Sequence, residues 1–136
     1  MEFRPLNPEE LSVLENTLNY ASKIAGKDNP LDFEDVNQLY QSFIDEGIID
    51  ARARIALGIS FGHLFILSGK YEWVRISDEY GEETALAPYN KKIMVAPISM
   101  IQKRLEDNLY VEITELYYET DKAVEALIAK GEYQNR

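Results

Sequence analysis

The apolar positions change period along the chain, and each change marks an element. Leu11, Leu14, Leu18, Ala21 and Ala25 recur at the three-to-four spacing of an amphipathic helix. Asn7 precedes them as a cap, Pro8 suits a first turn, and Glu9 and Glu10 face the positive end of the helix dipole. Gly26 ends the run, and "GKDNP" reads as a turn. Asp32 with Asp35 three residues on opens a second helix as a capping box, with Asp in the usual Glu position. Its apolar face is Phe33, Val36, Tyr40, Phe43 and Ile44, and Gly47 closes it.

A third helix is predicted from a cap at Asp50 to about Leu67. Arg52 and Arg54 mark an exposed first turn, but Ile55 to Leu67 is apolar nearly all round. Such a helix is covered on several sides, which makes it the expected hub of the fold. Gly58 and Gly62 lie four apart on one face. Each weakens the helix by about 1 kcal/mol relative to Ala, so close approach of another backbone is the expected compensation. Dimerisation through the glycines is the competing reading, and internal packing is preferred for a chain that does not span a bilayer.

After Ser68-Gly69 the period drops to two. "YEWVRI" sets Val74 and Ile76 opposite Trp73 and Arg75, as in a half-buried strand. "SDEYGEE" is a turn, "TALAP" a second strand, "YNKK" another turn, and "IMVAP" a third strand. Short connections predict an antiparallel meander, and the unbroken Ile93-Met94-Val95 predicts a strand covered on both faces. Pro97 ends it, and Ser99 is the expected cap of a helix to about Asp107. Leu109, Ile113, Leu116, Tyr117, Thr120, Val124, Leu127 and Ile128 predict a last helix closed by Gly131, after which "EYQNR" should fray. The fold class is therefore α+β: three N-terminal helices, a three-stranded antiparallel β-meander, then two C-terminal helices, in one domain over residues 1–136.

Composition narrows the chemistry. The hydrophobic fraction of 46% is enough for a packed core, so disorder is a poor reading. With no cysteine, disulfides, thiolate metal sites and a cysteine nucleophile are excluded. The formal net charge of -10 disfavours phosphate backbones and anionic membrane surfaces, and favours a basic protein partner. Acidic helices flank a mildly basic middle, residues 51–104. The start "MEFRPLNPEE" has acids and prolines where a signal peptide needs basic and then apolar residues. The run "IALGISFGHLFIL" is too short to span a bilayer. The expected location is the cytoplasm.

Candidate catalytic groups are few. His63 is the only histidine, set among Phe61, Leu64 and Phe65 with no sequence-local partner, so it reads as a packed helix residue rather than a general base. One histidine without cysteine makes a zinc site a poor fit. Asp78, Glu79, Glu82 and Glu83 crowd one turn, but their spacing is not that of a calcium-binding loop, and a solvated hairpin is the simpler reading. Tyr80-Gly81 is turn chemistry. Trp73 reads as a core anchor, Lys91-Lys92 as solubilising charge, and Lys103-Arg104 as partners for neighbouring acids. No phosphate loop, nucleophile elbow or dinucleotide fingerprint is present.

"WVRISDEYGEETALA" followed by "IMVAPISMIQKR" resembles an uncharacterised bacterial domain family of unknown function. The resemblance rests on Trp73, Asp78, Glu79, Tyr80, Gly81, Pro97, Met100, Lys103 and Arg104. It covers about a quarter of the chain, and implies the fold and a bacterial setting but no activity. The functional expectation is a non-enzymatic protein-binding module, most concretely a bacterial immunity protein that neutralises a basic toxin. Its contact residues would be Asp78, Glu79, Tyr80, Glu82 and Glu83, with no cofactor, metal, nucleic acid or membrane. The alternatives are a small carboxylate- or histidine-dependent enzyme and a housekeeping adaptor or homodimer.

Overall fold

The computed structural model describes residues 1–48, 50–131 and 133–136. The elements run β1 (Glu2–Pro5), α1 (Pro8–Ala25), α2 (Phe33–Glu46), α3 (Ala51–Leu67), β2 (Tyr71–Asp78), β3 (Gly81–Pro88), α4 (Pro97–Glu106) and α5 (Ile113–Lys130). This is the expected α+β class, with five helices and a three-stranded antiparallel sheet among the described residues. The first three helix starts are capped as the sequence indicates. Asn7 and Glu10 form a capping box on α1, Asp32 and Asp35 do so on α2, and Asp50 accepts the Arg52 N–H on α3.

α3 is the hub. Ala56, Leu57, Phe61, Leu64 and Phe65 are buried at its centre, and α1, α2, α4, α5 and β2 all pack on it. An aromatic seam runs through this core. Phe65 meets Tyr71 of β2 at 5.2 Å and Tyr117 of α5 at 4.4 Å between ring centroids, and Phe33 of α2 meets Tyr117 edge-on at 4.8 Å. Each such pair adds about 0.5–1.5 kcal/mol beyond the area it buries. The two helix glycines admit α4. A Cβ built on Gly58 would lie 2.7 Å from the Ile98 Cα, and one on Gly62 would lie 2.5 Å from Trp73 Cη2 and 2.8 Å from Pro97 Cγ. The expected close backbone approach is therefore that of α4 at Gly58, while Gly62 accommodates an indole and a proline ring.

The sheet differs from the expected meander in its third member. Its order is β1-β2-β3, so the strand beside β2 is the N-terminal Glu2–Pro5, with Phe3 opposite Ile76 and Arg4 opposite Arg75. "IMVAP" contributes one antiparallel bridge, Leu86 to Val95, with both hydrogen bonds at 2.8 Å. Pro97 has no N–H to extend the ladder and instead starts α4. Ile93 and Val95 are buried, but Met94 is 38% exposed, so this segment is not covered on both faces.

Two helix starts also differ. α4 begins at Pro97 after Ala96, with no side-chain cap, so Ser99 lies within the first turn. α5 begins at Ile113 rather than near Leu109. The reason lies on α2, where Asn37, Tyr40 and Gln41 share one face. The Tyr40 hydroxyl donates to the Leu109 carbonyl at 2.6 Å, and Gln41 Nε2 donates to the Val111 carbonyl at 3.0 Å. Asn37 Oδ1 accepts the Ile113 N–H at 3.0 Å, which caps α5 from a neighbouring helix. Residues 133–136, expected to fray, are docked. Gln134 O accepts the Lys92 N–H, the Arg136 N–H bonds Asn90 O, and the Arg136 guanidinium pairs with Glu72. Glu132 lies outside the described residues.

Candidate functional site

β2 and β3 form a hairpin whose loop is the two residues Glu79 and Tyr80, between the paired Asp78 and Gly81. Asp78 Oδ1 accepts the Tyr80 N–H at 2.8 Å, and Gly81 takes φ +127°, a backbone state that side chains disfavour. A turn held this way projects what it carries. Tyr80 is 89% exposed, more than any other large hydrophobic residue among those described. Asp78, Glu79, Glu82 and Glu83 are also exposed, so all five expected contact residues sit together at the hairpin tip. Asp78, Tyr80, Glu82 and Glu83 border a shallow cleft of about 180 Å³.

These carboxylates are not equivalent. Strand alternation places Glu82 on the face of Arg75 and Thr84, and Glu83 on the opposite face. Glu82 joins a four-member ion network just below the hairpin tip, 3.5 Å from Arg75 Nε and 3.6 Å from an Arg4 nitrogen. Glu10 completes it. Arg4 grips Glu10 with two hydrogen bonds at 2.7 and 2.9 Å, and Arg75 Nε lies 3.5 Å away. The Arg4 hydrogen bonds, helped by the Asn7 N–H, hold the Glu10 carboxyl down at about 2. One glutamate thus caps α1 and, through the arginines, ties that helix to β1 and β2. Among the described residues, Asp78, Glu79 and Glu83 make no ion pair, so their charge is open to a partner.

The second locale lies between α1, α3 and β2. Leu14 and Leu18 floor a groove of about 270 Å³, with Ile66 and Trp73 beside them and Leu11 and Glu15 on the α1 side. His63 lines it, half-buried, with Nδ1 out of solvent and without a hydrogen-bond partner. Burial alone lowers its pKa, which keeps the imidazole neutral at pH 7. No carboxylate or hydroxyl among the described residues hydrogen-bonds it, so the orienting partner of a general base is lacking. His63 is thus not sealed in the core, and it borders solvent through this groove. Trp73 is half-buried, with the edge of its ring over Gly62. Sequence reasoning identified Gly62, His63 and Trp73 separately but missed that they adjoin, and it missed Glu15. The surplus of leucines on α1 was the available signal.

Among the described residues, no three His, Cys, Asp or Glu side chains converge in a way that would hold a metal ion, and no helix is long and apolar enough to cross a membrane.

No curated protein matches the chain. A crystal structure of a protein from Bacteroides thetaiotaomicron VPI-5482, at 19% identity, superposes with a TM-score of 0.68. The match covers 88% of this chain and 46% of the other, so the chain spans about half the length of that protein, and the likeness is one of fold. The profile of the family described as "Domain of unknown function (DUF3806)" matches residues 33–117, from the start of α2 into α5. That span contains the tryptophan strand, the acidic hairpin and α4, on which the resemblance rests. It is more than half of the chain, and the protein belongs to the DUF3806 family.

Proposed function

We propose that this protein is a non-enzymatic protein-binding module that reads a basic partner through the β2–β3 hairpin tip. One observation carries the reading: Tyr80 stands 89% exposed at the apex of the hairpin, beside Asp78, Glu79 and Glu83, which make no ion pair among the described residues. Tyrosine is enriched among the residues that dominate interface energies, because its large rigid ring costs little entropy to fix. The Arg4–Glu10–Arg75–Glu82 network braces the hairpin below the tip, so little ordering remains to be done on binding. A net charge of -10 steers a cationic protein toward the surface. A toxin whose substrate site is basic has the matching chemistry, which makes a bacterial immunity protein the concrete form of this reading.

The test is an affinity capture from native lysate at low and high salt, run with the wild-type chain, Tyr80→Ala and Glu83→Lys. The expected result is one basic protein held by the wild type, released by salt and lost from both variants. Co-expression with the captured protein should then restore growth. Equal capture by all three chains would refute the hairpin as the contact surface. Capture without protection from toxicity would leave a binding module and remove the immunity role.

A further inference from the structure

We propose that the groove between α1, α3 and β2 binds a small organic cation with a flat apolar body, such as an aromatic amine or a quaternary ammonium. The lining decides the class. Leu14, Leu18 and Ile66 supply apolar surface, and Trp73 supplies an indole, the aromatic side chain that attracts cations best. Among the described residues, Glu15 is the only lining side chain with a formal charge, and it makes no ion pair. His63 adds no opposing positive charge, because its burial favours the neutral ring. An anion would meet Glu15 and the field of a strongly acidic chain. A neutral apolar molecule would gain nothing from the exposed Glu15 carboxylate, which a cation would. At about 270 Å³ the groove is smaller than the usual site for a drug-sized ligand, so it suits a single ring with a short substituent. Gly62 is integral to the design, since a Cβ there would press on the far edge of the indole at 2.5 Å. The cation site is independent of the hairpin tip, and either can fail without the other.

Trp73 is the sole tryptophan, so its emission reports the groove directly. The intact chain is titrated with benzyltrimethylammonium, with benzyl alcohol as the neutral probe and phenylacetate as the anion. Amide shift mapping in the same titrations locates each probe. Saturable binding of the cation is expected, at least about tenfold tighter than the alcohol, from combined ring and carboxylate attraction. Shifts should centre on Leu18, His63 and Ile66. Glu15→Gln, an exposed change that leaves the fold intact, should weaken the cation several-fold while leaving the alcohol unchanged, the remaining preference being that of the Trp73 ring. Preference for phenylacetate, equal binding of all three probes, no saturation, or undiminished cation binding by Glu15→Gln would each overturn the assignment.

Discussion

Replacing Gly58 by alanine sets two effects of opposite sign against each other. Alanine is the better helix former by about 1 kcal/mol, so on propensity alone Gly58→Ala should stabilise α3. The new Cβ would, however, sit 2.7 Å from the Ile98 Cα and 3.4 Å from its Cβ and Cγ1. Carbon atoms prefer about 3.5–4.0 Å, so α4 must retreat by roughly 1 Å. The obstacle is backbone, which no rotamer change relieves. Retreat also opens the packing of Ile101 and Leu105, both in the main core. Overpacking of this kind costs about 1–3 kcal/mol, and with a backbone contact the upper part of that range applies. The net expectation is a loss of about 1–2 kcal/mol, or a fall of about 3–8 °C in Tm for a chain of this size. Urea unfolding measures it directly. Gly62→Ala should lose a similar amount, because Trp73 and Pro97 are both rigid rings. It should also shift the emission of folded Trp73, and by more than Gly58→Ala does, because the new methyl meets the indole itself. A Gly58→Ala chain more stable than the wild type by about 1 kcal/mol would show propensity prevailing and would refute the close packing of α4 on α3.

Other expectations follow from single contacts. Glu10 titrates at about 2 in the fold against an ordinary value of 4.5, so its stabilisation is complete above 4.5 and is lost as pH falls from 4.5 toward 2. Glu10→Gln should flatten the acid limb of the stability curve in that window, and an unchanged limb would refute the Arg4–Glu10 anchor. His63 has a lowered pKa, so its neutral form stabilises the fold fully above 6.5 and the contribution fades as pH drops below that value. An NMR titration of the single histidine should give a midpoint below 6.5, and a midpoint at or above it would contradict the burial of Nδ1. Tyr40→Phe removes the 2.6 Å bond to the Leu109 carbonyl, and should cost about 1 kcal/mol with faster amide exchange over residues 109–113. Unchanged exchange there would mean that α2 does not hold the start of α5.

What the sequence determined by itself is local. The capping boxes at Asn7 and Asp32, the all-round apolar run of α3 and the glycine stops each depend on residues within a turn or two, and chain chemistry settles such features before any tertiary contact forms. The turn in "SDEYGEE" and the shared position of the five acidic-loop residues are local for the same reason, although only Glu79 and Tyr80 form the loop, because cross-strand pairing extends β2 to Asp78 and starts β3 at Gly81. Tertiary structure decided what required distant residues. The third strand is Glu2–Pro5 because its backbone groups meet β2, roughly seventy residues away, while "IMVAP" has the apolar run of a strand but bonds β3 only at Val95. α5 starts at Ile113 because Asn37, Tyr40 and Gln41 occupy the polar groups of the preceding segment. Glu82 and Glu83 look alike in the sequence, yet pairing put Arg75 beside one and left the other free. The groove of Glu15, His63 and Trp73 joins three elements and exists only once α1 and β2 have docked on α3. Periodicity tells a residue which side to face, and only packing determines what it finds there.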